Sequence, residues 1–175
     1  MKHKPRLPDP YGIVAVHASA VRTGAGALVF LGPSGAGKST IVGLLADKAE
    51  LFAEDQVYLV PRSGGSLGVA DTRDRTFFGP LKEEEVRALE TEPLIGLFRL
   101  HKAEKTRLER LDQLELCHNL VEGFLEVFWH LNLEVGSMKE VFHRIARISR
   151  EALGYNLYFN KTSAVGDVLS GKYGF

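Results

Sequence analysis

Nine residues, Gly32-Pro33-Ser34-Gly35-Ala36-Gly37-Lys38-Ser39-Thr40, limit what this chain can become more than any others. An apolar run, Ala27-Leu28-Val29-Phe30-Leu31, precedes them and reads as a short buried strand. Residues 41–46 come next and read as a helix. Strand, glycine loop and helix in that order fit G-x-x-x-x-G-K-[ST], a pattern whose backbone closes around phosphate. The chain is therefore predicted to be an α/β protein that binds a nucleoside triphosphate.

The residue types explain the chemistry. Glycines at 32, 35 and 37 let the backbone wrap tightly and turn several N–H groups inward. Those donors, with the positive end of the next helix, make a nest for a polyphosphate that spans 32–40. Lys38 reaches the β- and γ-phosphates as a mobile point charge. The Ser39 hydroxyl is expected to complete the coordination of a Mg²⁺, a hard cation that prefers oxygen.

Length and composition set outer bounds. The 175 residues suit one domain with a real core: residues 1–10 read as an extended lead-in and 11–175 as a single nucleotide-binding domain. Lysines and arginines balance the acids at 22 each, so bulk charge gives no support for a nucleic-acid partner. Cys117 is the sole cysteine, which excludes an internal disulfide and suits a cytoplasmic setting; its place in an apolar helical pattern makes it core filler. No apolar run approaches a membrane span, and the basic N-terminus lacks the apolar stretch of a secretory signal.

Along the chain, residues 13–21 are nearly all apolar or small and are expected to form one buried strand, paired as a hairpin with 27–31. Strands are expected at 51–53, 57–60, 67–70, 94–100 and 155–159. A surface loop is expected at 71–80 and a short charged helix at 82–89, stopped by Pro93. Leu114, Cys117, Val121, Phe124, Phe128 and Leu131 recur at helical spacing and mark a helix over 112–131. Leu120, Leu125, Val127 and Trp129 widen its apolar surface, so it should be well buried. A second helix carries Met138, Val141, Phe142, Ile145, Ile148 and Ala152, with a basic, solvated opposite face. Gly154 suits its stop, and 165–169 a short helical end.

The order "VHASAV", "GALVFLGPSGAGKST", "LFAEDQVYL" resembles the kinase domain of HPr kinase/phosphorylase and its short stand-alone relatives. The resemblance covers residues 13–60, and more loosely "PLIGLFRL" and "YNLYF". It implies a P-loop core of the HPr kinase and PEP carboxykinase-like kind, a mixed β-sheet with flanking helices. It also implies ATP and Mg²⁺ as cofactors, and a hydroxyl on a protein serine or a small molecule as acceptor. Assembly into homo-oligomers is implied by the same resemblance. Carried over by position, Glu54 is the base acting on the attacking hydroxyl, Asp55 the metal-side carboxylate, and His17 the residue that orients the acid, with Lys38 on the phosphates. A carboxylate in line with the hydroxyl can take its proton as transfer proceeds.

Two departures stand out. The family's first acid is aspartate, where this chain has Glu54. The glycine- and arginine-containing signature near "LEIRGxGI" has no clear copy; Arg73 and Arg75 stand at about the right place. Other readings are a catalytically weak nucleotide-binding module that senses or scaffolds, and a guanylate-kinase-like enzyme, which shares "GPSGAGKST". The strand before the loop strand ranks the last lower, and the lack of an LSGGQ-like element ranks a transporter ATPase lower still.

Overall fold

The computed structural model describes residues 12–70, 89–131, 138–162 and 164–175. The expectations for residues 1–10, 71–80 and 82–88, with Arg73 and Arg75, lie outside that range. In chain order the elements are β1 (Val14–Val16), β2 (Ala18–Thr23), β3 (Gly26–Leu31), α1 (Lys38–Leu44), β4 (Glu50–Ala53), β5 (Val57–Pro61), a 3-10 turn at Ser63–Gly65, and β6 (Leu67–Ala70). They continue as β7 (Thr91–Lys102), β8 (Arg107–Arg110), α2 (Gln113–Leu131), α3 (Met138–Glu151), β9 (Gly154–Phe159) and α4 (Ala164–Tyr173). The described strands form one mixed sheet in the order β1-β5-β6-β7-β3-β2-β4, with β9 against β7 and β8 on β9. This is a mixed α/β architecture with flanking helices.

Three strands run parallel. β3 pairs with β7, and β7 with β9, so their carboxyl ends open on one edge of the sheet. The glycine loop leaves β3 there. Crevices outside the carboxyl ends of parallel strands are where α/β sheets bind ligands.

The apolar run in β3 is continuous because both its faces are covered. Ala27, Val29 and Leu31 meet Leu116, Leu120 and Phe124 of α2 with Ile145 and Ile148 of α3 in one core layer. Leu28 and Phe30 point the other way, into a layer with Ile41 of α1, Leu45, Phe98, Leu157 and Leu169. Every residue of β3 is buried. The strand that carries the loop is thus fixed from two sides; truncating Phe30 to alanine costs about 3–5 kcal/mol.

The expected single strand at 13–21 is two. β1 pairs with β5, whereas β2 pairs with β3 and β4, and the chain changes partner at His17. The His17 backbone N–H leaves the ladder and donates to the Gly123 carbonyl of α2 at 2.8 Å. Glycine at 123 permits that approach, since a Cβ there would stand 3.3 Å from the Val16 Cβ. The β2–β3 hairpin is as expected, with Ala18 opposite Leu31 and Thr23 opposite Gly26.

Three further expectations are corrected, and one strand stands where none was expected. Pro93 does not end an element but lies inside β7, opposite Gly68 of β6; at Leu94 the strand turns to β3 as its partner. A residue without an N–H is tolerated where the ladder changes hands. β8, with the charged sequence RLER, is invisible to hydrophobic patterning. It pairs with β9, and its arginines lie over tyrosine rings, Arg107 at 3.7 Å from the Tyr158 centroid and Arg110 at 5.3 Å from that of Tyr155. Gly154 opens β9 rather than closing a helix. Trp129 is 73 % exposed and Leu114 79 %, so α2 is not buried all round. Its buried stripe runs through Leu116, Leu120, Phe124 and Val127. Positions 114 and 129 lie two residues off that stripe, about 200° around the helix.

Candidate functional site

Residues 32–40 form the turn from β3 into α1. The Ala36 N–H donates to the Pro33 carbonyl at 3.0 Å, and the Ile41 N–H to that of Gly37 at 2.9 Å. Gly35 (φ 79°) and Gly37 (φ 106°) are left-handed, the conformation that glycine adopts without strain. No side chain caps α1, which leaves its leading amides to the loop. Pro33, Ser34 and Gly35 are exposed at the tip, and Ser39 is exposed in the first turn.

Lys38 folds back under the loop. It is 8 % exposed, and its Nζ donates to the Gly32 carbonyl at 2.7 Å and to that of Pro33 at 3.3 Å. Burial pulls its ammonium below the usual lysine range. The Glu126 and Asp55 carboxylates oppose that pull, and the Arg99 guanidinium adds to it. Among the described residues no carboxylate is within ion-pair distance of Nζ. A buried ammonium held by carbonyls alone is costly, and an anion beside it relieves the cost.

His17, at the break between β1 and β2, reaches the same place from another side. Its Nδ1 lies 2.9 Å from the Asp55 carbonyl oxygen, and its Nε2 lies 3.6 Å from Glu126 Oε2. A carbonyl can only accept, so Nδ1 carries the proton of that bond. Asp55, in the turn between β4 and β5, is exposed with φ 61°; among the described residues it alone of the non-glycines is left-handed. Glu54 precedes it and is exposed. Its carbonyl accepts from the Gln56 N–H at 2.7 Å, and its carboxylate has no hydrogen bond or ion pair among the described residues.

Lys38, Asp55 and His17 therefore come together, His17 through the backbone of Asp55 rather than through the Glu54 carboxylate. Sequence reasoning missed three neighbours. Glu126 and Glu122 stand four apart on α2, on one helical face. Arg99, near the end of β7, pairs with Glu122 at 3.0 Å. The available signal was a charge set within apolar surroundings, Arg99 in "LIGLFRL" and the two acids in "LVEGFLEVF".

No group of three or more His, Cys, Asp or Glu side chains is placed to hold a metal among the described residues. Mg²⁺ does not need one, since it uses one or two carboxylates together with substrate phosphates and water. A serine hydroxyl and a carboxylate flanking a phosphate loop are hard oxygen donors of that kind. Two cavities lined by described residues adjoin the loop. One of about 460 Å³ lies over its tip, beside Arg99, His101 and Tyr158. Another of about 530 Å³ lies beside Gly37 and Thr40. No described helix is long and apolar enough to cross a membrane.

No family model matches this sequence, and no curated protein does. Among solved structures, the HPr(Ser) kinase/phosphatase from Coxiella burnetii matches at 11 % identity and a TM-score of 0.43, over 90 % of this chain and 91 % of that one. A likeness at that level carries no chemistry.

Proposed function

We propose that this chain is an ATP-dependent, Mg²⁺-dependent kinase of the HPr-kinase-like kind, which moves the γ-phosphoryl group to a hydroxyl on a protein serine or a small molecule. The observation that carries this reading is Lys38, buried in a glycine loop and facing carboxylates from two other elements, Asp55 and Glu126. Such a cation has a use for a polyphosphate that an ordinary surface lysine lacks.

The loop 32–40 grips the phosphate chain with its amides, and Lys38 draws charge toward the β- and γ-positions. Ser39 and Asp55 are the residues that would hold Mg²⁺, which supplies neutralising charge on the phosphates. Glu54 serves as the base: its unpaired, exposed carboxylate is free to accept the proton of an incoming hydroxyl. His17 fixes the turn that presents Glu54 and Asp55 by donating to the Asp55 carbonyl.

The same freedom of Glu54 favours a second reading, a nucleotide-binding module with little turnover, because nothing described holds its carboxylate in line. Labelled ATP with Mg²⁺ and candidate acceptors separates the two. The kinase reading expects Lys38→Ala to weaken ATP binding about 10- to 100-fold, the worth of a charge-assisted contact. It expects Glu54→Gln to keep ATP affinity and lose transfer. Unchanged affinity in the first variant removes the loop assignment, and full transfer by the second removes Glu54 as base.

A further inference from the structure

We propose that a cavity between α2 and the strands β7 and β9 seats the phosphoryl acceptor, and that this acceptor is a small neutral polyol, a sugar or sugar alcohol, rather than a protein serine. This rests on the reading of the chain as a kinase. The cavity measures about 620 Å³, a volume that suits a small ligand. It shares Arg99 and His101 with the cavity over the tip of the glycine loop. The Arg99 charge also acts on Lys38, which serves the β- and γ-phosphates, so the shared wall lies at the transferring end.

Two local periods build the walls. Glu115, His118, Asn119 and Glu122 recur at i, i+3, i+4 and i+7 and so share one face of α2. Opposite them, Arg99 and His101 lie on the same face of β7 as Leu97, and Asn156 of β9 stands beside Arg99 in register. Leu97 packs into the core layer with Leu116 and Leu120 of α2; past it, the same face turns polar.

Asn119 is the residue that points to a ligand. It is 8 % exposed, it lines this cavity, and its amide makes no hydrogen bond among the described residues. A buried amide normally has a partner, and asparagine adds nothing to the interior of a helix. The amide is not sealed in: among the described residues the Tyr173 hydroxyl is the one enclosed side-chain polar atom without a partner. Asn119 thus faces the open cavity with two N–H donors and a carbonyl to offer. Asn156 adds a donor, since its Oδ1 accepts from His101 Nε2 at 2.7 Å and its Nδ2 is left for a ligand.

The lining selects a neutral, hydroxyl-rich molecule. Its permanent cation, Arg99, is already paired with Glu122 at 3.0 Å, and Glu115 stands on the same wall, so an anionic acceptor meets more carboxylate than free cation. A hydroxyl both donates and accepts, and so matches amide, imidazole and carboxylate alike. Leu111 and Leu114 supply an apolar strip for the C–H faces of such a molecule. A protein serine needs an open sheet edge or an apolar groove for its flanking chain, and β9 is paired on both sides here. In the transfer, the acceptor oxygen bonds to the γ-phosphorus, the bond from that phosphorus to the bridging oxygen breaks with its electron pair leaving on ADP, and the hydroxyl proton passes to Glu54.

Saturation-transfer NMR with a panel of pentoses, hexoses, inositol and sugar alcohols, beside a serine tripeptide, tests this on the wild type and on Asn119→Leu. Calorimetry follows ATP with Mg²⁺ on both proteins, and ³¹P NMR reads transfer. At least one polyol is expected to bind the wild type and to become a phosphate monoester. Asn119→Leu is expected to lose about tenfold or more in affinity for that polyol, with ATP affinity unchanged. Undiminished polyol affinity in the variant, or an equal loss of polyol and ATP, overturns the seat. Should the variant fold poorly, nuclear Overhauser contacts in the wild type decide: cross-peaks from the polyol C–H protons to the Leu111 and Leu114 methyls are expected, and their absence with polyol bound overturns it. ATP bound with no polyol bound, or phosphate passed to the serine tripeptide alone, overturns the polyol acceptor and leaves the kinase reading standing. A polyol bound by a wild type that does not bind ATP sinks the kinase reading and keeps the seat. Binding of neither sinks both.

Discussion

Nε2 of His17 stands 3.6 Å from Oε2 of Glu126, while Nδ1 of the same ring is bonded to the Asp55 carbonyl. One imidazole thus spans α2 and the turn after β4, and the acid that faces it also acts on Lys38. Glu126 is expected to hold the ring, and through it the Asp55 turn. Glu126→Gln should lower phosphoryl transfer about 10- to 100-fold, as loss of an outer-shell partner does, with ATP affinity kept. The ¹⁵N shifts of the His17 ring should move in the same variant, a change that generic loosening would not produce. Normal turnover with unmoved shifts would remove Glu126 from the site.

Asp55 offers a separation of strain from charge. Its φ of 61° is tolerable for aspartate and easy for glycine. Asp55→Gly should raise stability by up to about 1 kcal/mol while abolishing Mg²⁺-dependent transfer, and Asp55→Ala should lose both. Thermal melts beside an activity assay read this directly. A glycine variant less stable than the alanine one would show that the turn is not strained.

Gly37 and Gly35 make a second matched pair. Both are left-handed, but a Cβ at Gly37 meets Phe159 at 2.9 Å, whereas one at Gly35 meets nothing within 4 Å. Gly35→Ala should bear backbone strain alone, about 1–2 kcal/mol. Gly37→Ala should add overpacking to it, for a total of about 2–5 kcal/mol, and weaken nucleotide binding further. Chemical denaturation of the two variants compares them, and equal midpoints would mean that the ring yields freely.

Tyr58 gives a pH signature. Burial pushes its phenol up to about 12 from the ordinary value of 10.0. The unfolded chain then ionises first, so stability is complete below pH 10 and falls as pH rises from there through about 12. Tyr58→Phe should flatten that part of the profile. The hydroxyl is bonded to Gln56 Nε2 at 2.9 Å, so the variant should also start slightly less stable at neutral pH. An identical alkaline slope in both proteins would remove Tyr58 as its source.

Much of the fold is legible in the sequence because burial writes itself into local pattern. β3 reads as a run of five apolar residues since both its faces are covered, and α2 and α3 show three-and-four spacing since each buries one stripe. The features that do not read are set by partners far away in sequence. The break at His17 depends on the Gly123 carbonyl of α2, and β8 depends on the rings of Tyr155 and Tyr158. Pro93 reads as a breaker until β6 and β3 are seen to share β7 between them. Trp129 reads as core because its apolarity carries no information about which way α2 turns.

Alone, the sequence determined the glycine loop, the strand and helix around it, and the lysine within, because that conformation is encoded by residues next to one another. Only the tertiary structure decided what faces the loop. Glu126, Arg99 and the walls around Phe159 come from elements 60 to 120 residues downstream. Their chemistry arises from the sheet order and from the burial of Lys38 among them, neither of which is written in any local stretch of chain.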